Sequence, residues 1–256
     1  MPYDRDQVVA AVTDYYDFLS RLHIKPEDIR RPPSGGWPDN VISQQRFSKL
    51  GMSAKVIDLL RHLPYVQNDD NYLPIPITSM CACSDYTGAM FQDEVEEGGH
   101  AGYIPMEEDP EHCTWEKWLK PHAHIVPIAS GRVRTTADLD IDRLLTAFWQ
   151  GRYAEYILVD TEDGEVTSWS PWDDEDESFS CAQECFSRLK KDIIDARYYP
   201  ISERKIRPLI EDNDMNRQIK ELLGKFGWPS EEFDWERFVT VARQKIEKFS
   251  SLAGYD

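Results

Sequence analysis

Residues 156–169 read Tyr156, Ile157, Leu158, Val159, Asp160, Thr161, Glu162, Asp163, Gly164, Glu165, Val166, Thr167, Ser168, Trp169. An apolar run, a turn built on Asp and Gly, and a β-branched return are the pattern of a buried β-hairpin. A charged break follows, and residues 178–194 then carry apolar side chains at helical spacing. A hairpin that hands over to a helix states an architecture and leaves the chemistry open. The acids of the turn do not make a calcium loop, because Gly164 arrives at the fifth position after Asp160 is counted as the first, instead of the sixth.

Upstream, Val8, Val9, Val12, Tyr15, Tyr16, Leu19 and Leu22 recur at spacings of three and four, which predicts an amphipathic helix over residues 6–22 that ends before Pro26. Residues 31–38 hold three prolines and two glycines and are expected to run extended. Two short helices are predicted over 43–50 and 53–63, with Ser53 as N-cap of the second and Pro64 closing it. Leu73, Ile75 and Ile77 alternate like a strand, but Pro74 and Pro76 lack amide donors, so an edge strand or extended arm is expected. Residues 81–114, rich in Gly and acid, read as a long loop or insertion. A buried strand over 125–129 and a helix over 140–150 precede the hairpin.

After Pro200 the chain changes character, with helical patterns over 214–226 and 233–252 joined by Gly227, Trp228, Pro229 and Ser230. The expected organisation is an α+β domain over residues 1–199, interrupted by an acidic insertion around 81–116, and a helical C-terminal extension over 200–256 packed on it. Gly36, Trp37, Pro38, Arg46 and Phe47 recur at the same spacing as Gly227, Trp228, Pro229, Arg237 and Phe238. The repeated device is read as structural: Pro in the first helical turn and Trp stapling the entering chain to the helix it precedes.

With 256 residues and 41% hydrophobic content the chain can build a proper core. It has no apolar run near the roughly 20 residues that cross a bilayer, and Met1, Pro2, Tyr3 and Asp4 do not open a signal peptide. A cytoplasmic protein is expected, with the nucleus as an alternative, and its five cysteines are expected to be reduced thiols.

The formal charge of −18 is unevenly placed. No Lys or Arg occurs over residues 62–116 or 153–187, and the second gap holds Asp173, Asp174, Glu175, Asp176 and Glu177. Residues 186–256 carry 14 basic against 13 acidic side chains, so nearly all the excess acid lies upstream. Phosphate binding rests on clustered Lys and Arg, so nucleic acid is not the expected partner. A basic protein patch is the natural complement.

The strand Ile125, Val126, Pro127, Ile128, Ala129, the strand ending Leu158, Val159, Asp160, the turn closed by Gly164, Glu165, Val166, and a helix bearing Phe179, Cys185, Phe186 and Leu189 resemble the second half of the Smi1/Knr4-like proteins, the SUKH superfamily. The helix followed by Leu63, Pro64 and Tyr65 resembles that family's early helix-to-strand region, and together these segments cover about half the chain. The resemblance implies an α+β fold with a curved, mostly antiparallel sheet packed against helices, and a role in binding other proteins. Fungal members are linked to cell-wall synthesis and signalling, and bacterial members to toxin immunity. The Pro-rich entry and the acidic, Trp-rich composition look like the fungal type.

Several residues invite chemistry. Cys81, Cys83, His112, Cys113, His122 and His124 are of zinc-binding type, but their spacing departs from the paired patterns of structural zinc sites. One of these cysteines paired with a histidine is the working group of the rival reading, a small-molecule enzyme using residues 81–124. Cys181 and Cys185, four apart on the predicted helix, read as packing residues. No phosphate-binding Gly loop, nucleophile elbow or zinc-protease helix motif occurs, so no catalytic residue is assigned and no cofactor is expected. Arg61 and His62 are expected to complement a helix C-terminus.

Trp115 and Trp118 flank the acidic insertion, and Trp169 and Trp172 flank the second acidic run. Rings that anchor beside charges that select are the composition of an interface. The expected function is therefore a non-enzymatic protein-interaction or regulatory module. Its contact surface is assigned to Trp115, Trp118, Trp169 and Trp172 with Asp173, Asp174 and Glu175, facing a basic protein partner.

Overall fold

The computed structural model describes residues 2–49, 52–67, 75–78, 81–87, 124–130, 156–169, 177–202, 205–209 and 212–252. Helix α1 (Arg5–Ser20) starts where the Asp4 carboxylate accepts the amides of Asp6 and Gln7, and it buries the predicted stripe of Val8, Val12, Tyr15, Tyr16 and Leu19. The chain then pairs strand β1 (Ile29–Arg30) antiparallel with β2 (Tyr65–Val66). Between them lie α2 (Gln44–Lys49) and α3 (Ala54–His62). Ser53 caps α3 as its position predicts, accepting the Val56 amide at 3.2 Å.

Residues 75–78 form the buried arm that the prolines foreshadow. Pro76 bridges Ala82, the Tyr15 hydroxyl donates to the Ile77 carbonyl at 2.5 Å, and Nε2 of the buried His23 lies 2.8 Å from the Pro76 carbonyl oxygen. Tyr15 of α1 and His23 of the turn after it thus supply polar partners to the carbonyls of this segment. The stretch beginning at Cys81 does not open as a loop: Ala82–Cys83 form β3, the edge strand of the main sheet, paired with β4 (Ile125–Ser130). The rest of the insertion beyond Thr87 and the helix expected over 140–150 lie outside the described residues.

The expected hairpin forms. β5 (Tyr156–Asp160) and β6 (Val166–Trp169) pair Val159 with Val166 and Tyr156 with Trp169. Gly164 closes the turn at φ +85°, while Asp160 and Asp163 accept the amides of Glu162 and Glu165 through their side chains. Those carboxylates work for the turn. A strand absent from the sequence reading, β7 (Glu177–Phe179), pairs with β6 and completes a five-stranded antiparallel sheet in the order β3-β4-β5-β6-β7.

The predicted helix over 178–194 is therefore shorter. α4 spans Ala182–Ile194 and packs Cys185, Phe186 and Ile193 into the core beside α1. The segment after it, where the sequence predicts no strand and a helical extension is expected from residue 200, forms a second hairpin of β8 (Tyr198–Ser202) and β9 (Lys205–Pro208). Pro200 hid it: a proline argues against a strand, and here it sits next to a break in register. α5 (Asp214–Lys225) and α6 (Trp235–Leu252) follow as predicted, α5 capped by Asn213.

The fold is α+β, with six α-helices among the described residues and small, open antiparallel sheets. One hydrophobic core runs from Val8 in α1 through Val159 and Phe186 to Tyr199, Leu223 and Phe238, so α5 and α6 share it with the sheet. No helix among the described residues is long and apolar enough to cross a membrane.

The two Gly-Trp-Pro elbows act alike but not as a staple onto the following helix. α2 and α6 begin six residues beyond Pro38 and Pro229. Each indole instead reaches back to the carbonyl end of an earlier helix: Trp37 Nε1 donates to Leu63, the C-cap of α3, and Trp228 Nε1 to Ile194, the last residue of α4. Phe47 and Phe238, the later echo, are both buried.

Candidate functional site

The end of the sheet formed by β6 and β7 is where the sequence concentrates rings and acids. Trp169 ends β6 opposite Tyr156, and Ser168 pairs with Glu177, the first residue of β7. The chain between these anchored ends, residues 170–176, carries Trp172, Asp173, Asp174 and Glu175. Those four lie outside the described residues, as do Trp115 and Trp118. Of the predicted contact residues, the structure thus places the backbone of Trp169 alone.

The phase of the ladder can be read from one hydrogen bond. The Asp160 amide donates to the Glu165 carbonyl at 2.9 Å, so Asp160 and Glu165 are a bonded pair. Bonded and non-bonded pairs alternate in an antiparallel ladder. Thr167 therefore bonds β5, and Val166 and Ser168 turn their backbone groups to β7. On β7, Phe179 and Glu177 face β6, and the N–H and C=O of Ser178 point out of the sheet.

That outer edge is open among the described residues, with the side chains of Glu177 and Ser178 exposed. The next outward amide, that of Ser180, is already occupied: it donates to Glu184 Oε2 at 2.9 Å, and the Ser180 hydroxyl donates to the same oxygen at 2.8 Å. These bonds hold the Glu184 carboxyl below the usual carboxylate range. Arg188 of α4 lies 3.5 Å from Glu177 and also pairs with Asp192, leaving the edge acidic in balance. At the far end of β7, Asp4, Gln7, Gly164, Ser180, Cys181 and Gln183 line a cleft of about 20 Å³, room for about one water molecule.

No family model, curated protein or solved structure matches this chain.

The cysteine and histidine set looks different in three dimensions. Cys81 and Cys83 are both buried, and Cys81 Sγ lies 3.0 Å from the Thr78 hydroxyl. Cys83 Sγ accepts the Val66 amide at 3.4 Å and shares a hydrogen bond with Tyr16. Burial, with the charge of Asp85 behind it, pushes the Cys83 thiol up to about 12, so it stays protonated and poorly nucleophilic at neutral pH. His124 lies beside Glu162 at 3.6 Å, while His112, Cys113 and His122 lie outside the described residues. Among the described residues no three His, Cys, Asp or Glu side chains are placed to share a metal ion. Cys181 is the N-cap residue of α4, and Cys185 is packed in the core.

Of the two residues that end α3, only His62 reaches a carbonyl of that helix through its side chain; Arg61 turns to the segment before α2. Arg61 Nε donates to the Ile42 carbonyl at 3.0 Å and its guanidinium pairs with Asp39, while His62 Nδ1 lies 2.7 Å from the Asp58 carbonyl. Sequence reading missed Glu177, Ser178 and Phe179 as an edge strand because Phe179 is in phase with the helix behind it. The signal was Glu184, an acid in the first turn of α4 whose carboxylate reaches back to the Ser180 amide, outside the helix.

Proposed function

We propose that this chain is a protein-interaction module of the fungal Smi1/Knr4 kind, acting in the cytoplasm, that holds a basic protein against the acidic end of its five-stranded sheet. One observation carries the reading: the pairing of Ser168 with Glu177 ties both ends of the acidic, tryptophan-bearing run to one sheet end. Trp172, Asp173, Asp174 and Glu175 follow Trp169 closely in the sequence, a composition in which rings can anchor and charges can select. The α+β build with an antiparallel sheet accords with the family resemblance. The rival reading of small-molecule chemistry by Cys81 or Cys83 gains nothing from thiols that are buried and hydrogen-bonded.

The test is a pull-down from cell extract with the full chain and a variant in which Asp173, Asp174, Glu175, Asp176 and Glu177 become Asn or Gln. Basic proteins captured at low salt should be lost by the variant and released as ionic strength rises. Capture that is equal for both chains and insensitive to salt refutes the proposal.

A further inference from the structure

We infer that the outer edge of β7 takes up an extended, lysine-bearing segment of the partner as an added strand. This rests on the proposed binding role and specifies how that partner is held. A strand edge recognises another backbone through whichever N–H and C=O groups its own sheet leaves unused. The ladder phase leaves one such pair on β7, that of Ser178, with no hydrogen-bond partner among the described residues. The amide two residues on is closed by Glu184, so the edge offers a single bonded pair with a carboxylate at its far side. A partner residue set opposite Ser178 can exchange both bonds with it.

Charge decides what can dock there. Glu177 is exposed on the strand with Arg188 3.5 Å from its carboxylate, Arg188 being shared with Asp192; Glu184 closes the end of the edge, and Asp173, Asp174, Glu175 and Asp176 precede it in the sequence. A second copy of this chain would bring an equally acidic β7 edge against the first, and like charges directly opposite are destabilising in a sheet. An extended segment with Lys at alternate positions meets opposite charge along the same edge. Three residues of strand are too few to hold a neutral peptide, so charge and backbone pairing must act together.

The probe is a capped heptapeptide alternating Lys and Val, titrated into the full chain by fluorescence anisotropy at low salt. Three comparisons accompany it: the same peptide N-methylated at its internal amides, Ser178→Pro, and Ser178→Ala. Proline removes the outward N–H of Ser178 without touching the bonds to β6, a position where edge strands accept it, and circular dichroism with a thermal melt verifies folding. Strand addition predicts that N-methylation and Ser178→Pro each weaken binding by about tenfold or more while Ser178→Ala binds like the parent. Should Ser178→Pro fail to fold, the N-methylated peptide decides alone. Equal binding of methylated and unmethylated peptides overturns the inference and leaves charge capture, and with it the proposed function, standing. No binding of the Lys peptide overturns it too, the binding role then being judged by the pull-down. A peptide-free dimer in sedimentation that Ser178→Pro dissolves overturns it in favour of self-pairing.

Discussion

Trp228 Nε1 donates to the carbonyl of Ile194 at 3.0 Å, which joins the turn between α5 and α6 to the last residue of α4. The same ring packs on Tyr199 and Phe233 at centroid distances of 5.1 and 5.2 Å, so one side chain seats the C-terminal helices on the body. Trp228→Phe keeps most of the packing and loses the bond. It should cost about 1 kcal/mol in urea unfolding, while Trp228→Ala should cost about 3–5 kcal/mol. Equal losses for Phe and Ala would show that the indole N–H carries the whole effect.

The matching elbow at the other end of the chain makes a prediction about two adjacent glycines. Gly35 and Gly36 both sit at positive φ, +93° and +90°. A Cβ on Gly35 meets open space, but one on Gly36 falls 2.8 Å from the Arg61 carbonyl oxygen and 3.1 Å from the His62 ring. Gly35→Ala should cost only the left-handed backbone penalty of about 1 kcal/mol. Gly36→Ala must also push the elbow off α3, breaking the 2.7 Å bond from the Trp37 amide to Arg61, and should cost at least about 1 kcal/mol more. Thermal melts of the two variants check the order.

The elements legible in the sequence were those with one dominant signal. The β5–β6 hairpin had an apolar run, an Asp-Gly turn and a β-branched return, and α1, α3, α5 and α6 had apolar spacing, with Ser53 marking the start of α3. β7 and β8 were hidden by residues that serve two patterns at once, Phe179 by helical phase and Pro200 by its missing amide. The site was legible only as composition. Which backbone groups of Ser178 face outward depends on ladder phase, and phase is set by the bond between Asp160 and Glu165 on the neighbouring hairpin. The buried state of Cys81 and Cys83 was likewise unreadable, because β3 pairs with a strand more than 40 residues away.

Burial of Cys83 makes stability depend on alkaline pH. Its thiol has an ordinary value near 9 and is pushed up to about 12 in the fold. The folded chain therefore holds this proton where the unfolded chain releases it. The contribution is complete below about pH 9 and is lost between about 9 and 12, at up to about 1.4 kcal/mol per pH unit. Tyr16 and Tyr65, raised by burial, act with the same sign and remain in any Cys83 variant. Cys83→Ala should be less stable than the parent at pH 7, and the gap should narrow as urea midpoints are taken at pH 9 and 10. A gap that stays constant with pH means that the thiol ionises as freely in the fold as in the unfolded chain.

Asp192 sits almost buried between two guanidinium groups, with Arg188 Nε at 3.2 Å and Arg197 at 3.6 Å. Asp192 raises the Arg188 pKa through its hydrogen bond. Asp192→Asn keeps the shape and removes the charge, and should cost about 1–3 kcal/mol, from the loss of the carboxylate that both arginines share, Arg188 keeping only Glu177. Because both arginines are partly exposed, salt should narrow the difference between parent and variant. Denaturant curves at low and high salt read both effects.

Tyr15 and Tyr199 are both fully enclosed, but only one has a bond for its hydroxyl. Tyr15 donates to the Ile77 carbonyl at 2.5 Å, whereas the hydroxyl of Tyr199 is buried among Trp228, Phe233, Trp235 and Phe238 with no partner among the described residues. Burying an unpaired hydroxyl costs about 1–3 kcal/mol, and a net bond contributes about 1 kcal/mol. Removing the two hydroxyls should therefore act in opposite directions. Tyr15→Phe should lower stability by about 1 kcal/mol and also leave the Ile77 carbonyl without its donor. Tyr199→Phe should be neutral or stabilising by up to about 1 kcal/mol, because phenylalanine fills the same space in the ring cluster without the desolvated oxygen. Paired thermal melts decide the matter, and a loss at Tyr199 as large as that at Tyr15 would mean that its hydroxyl does find a partner in solution.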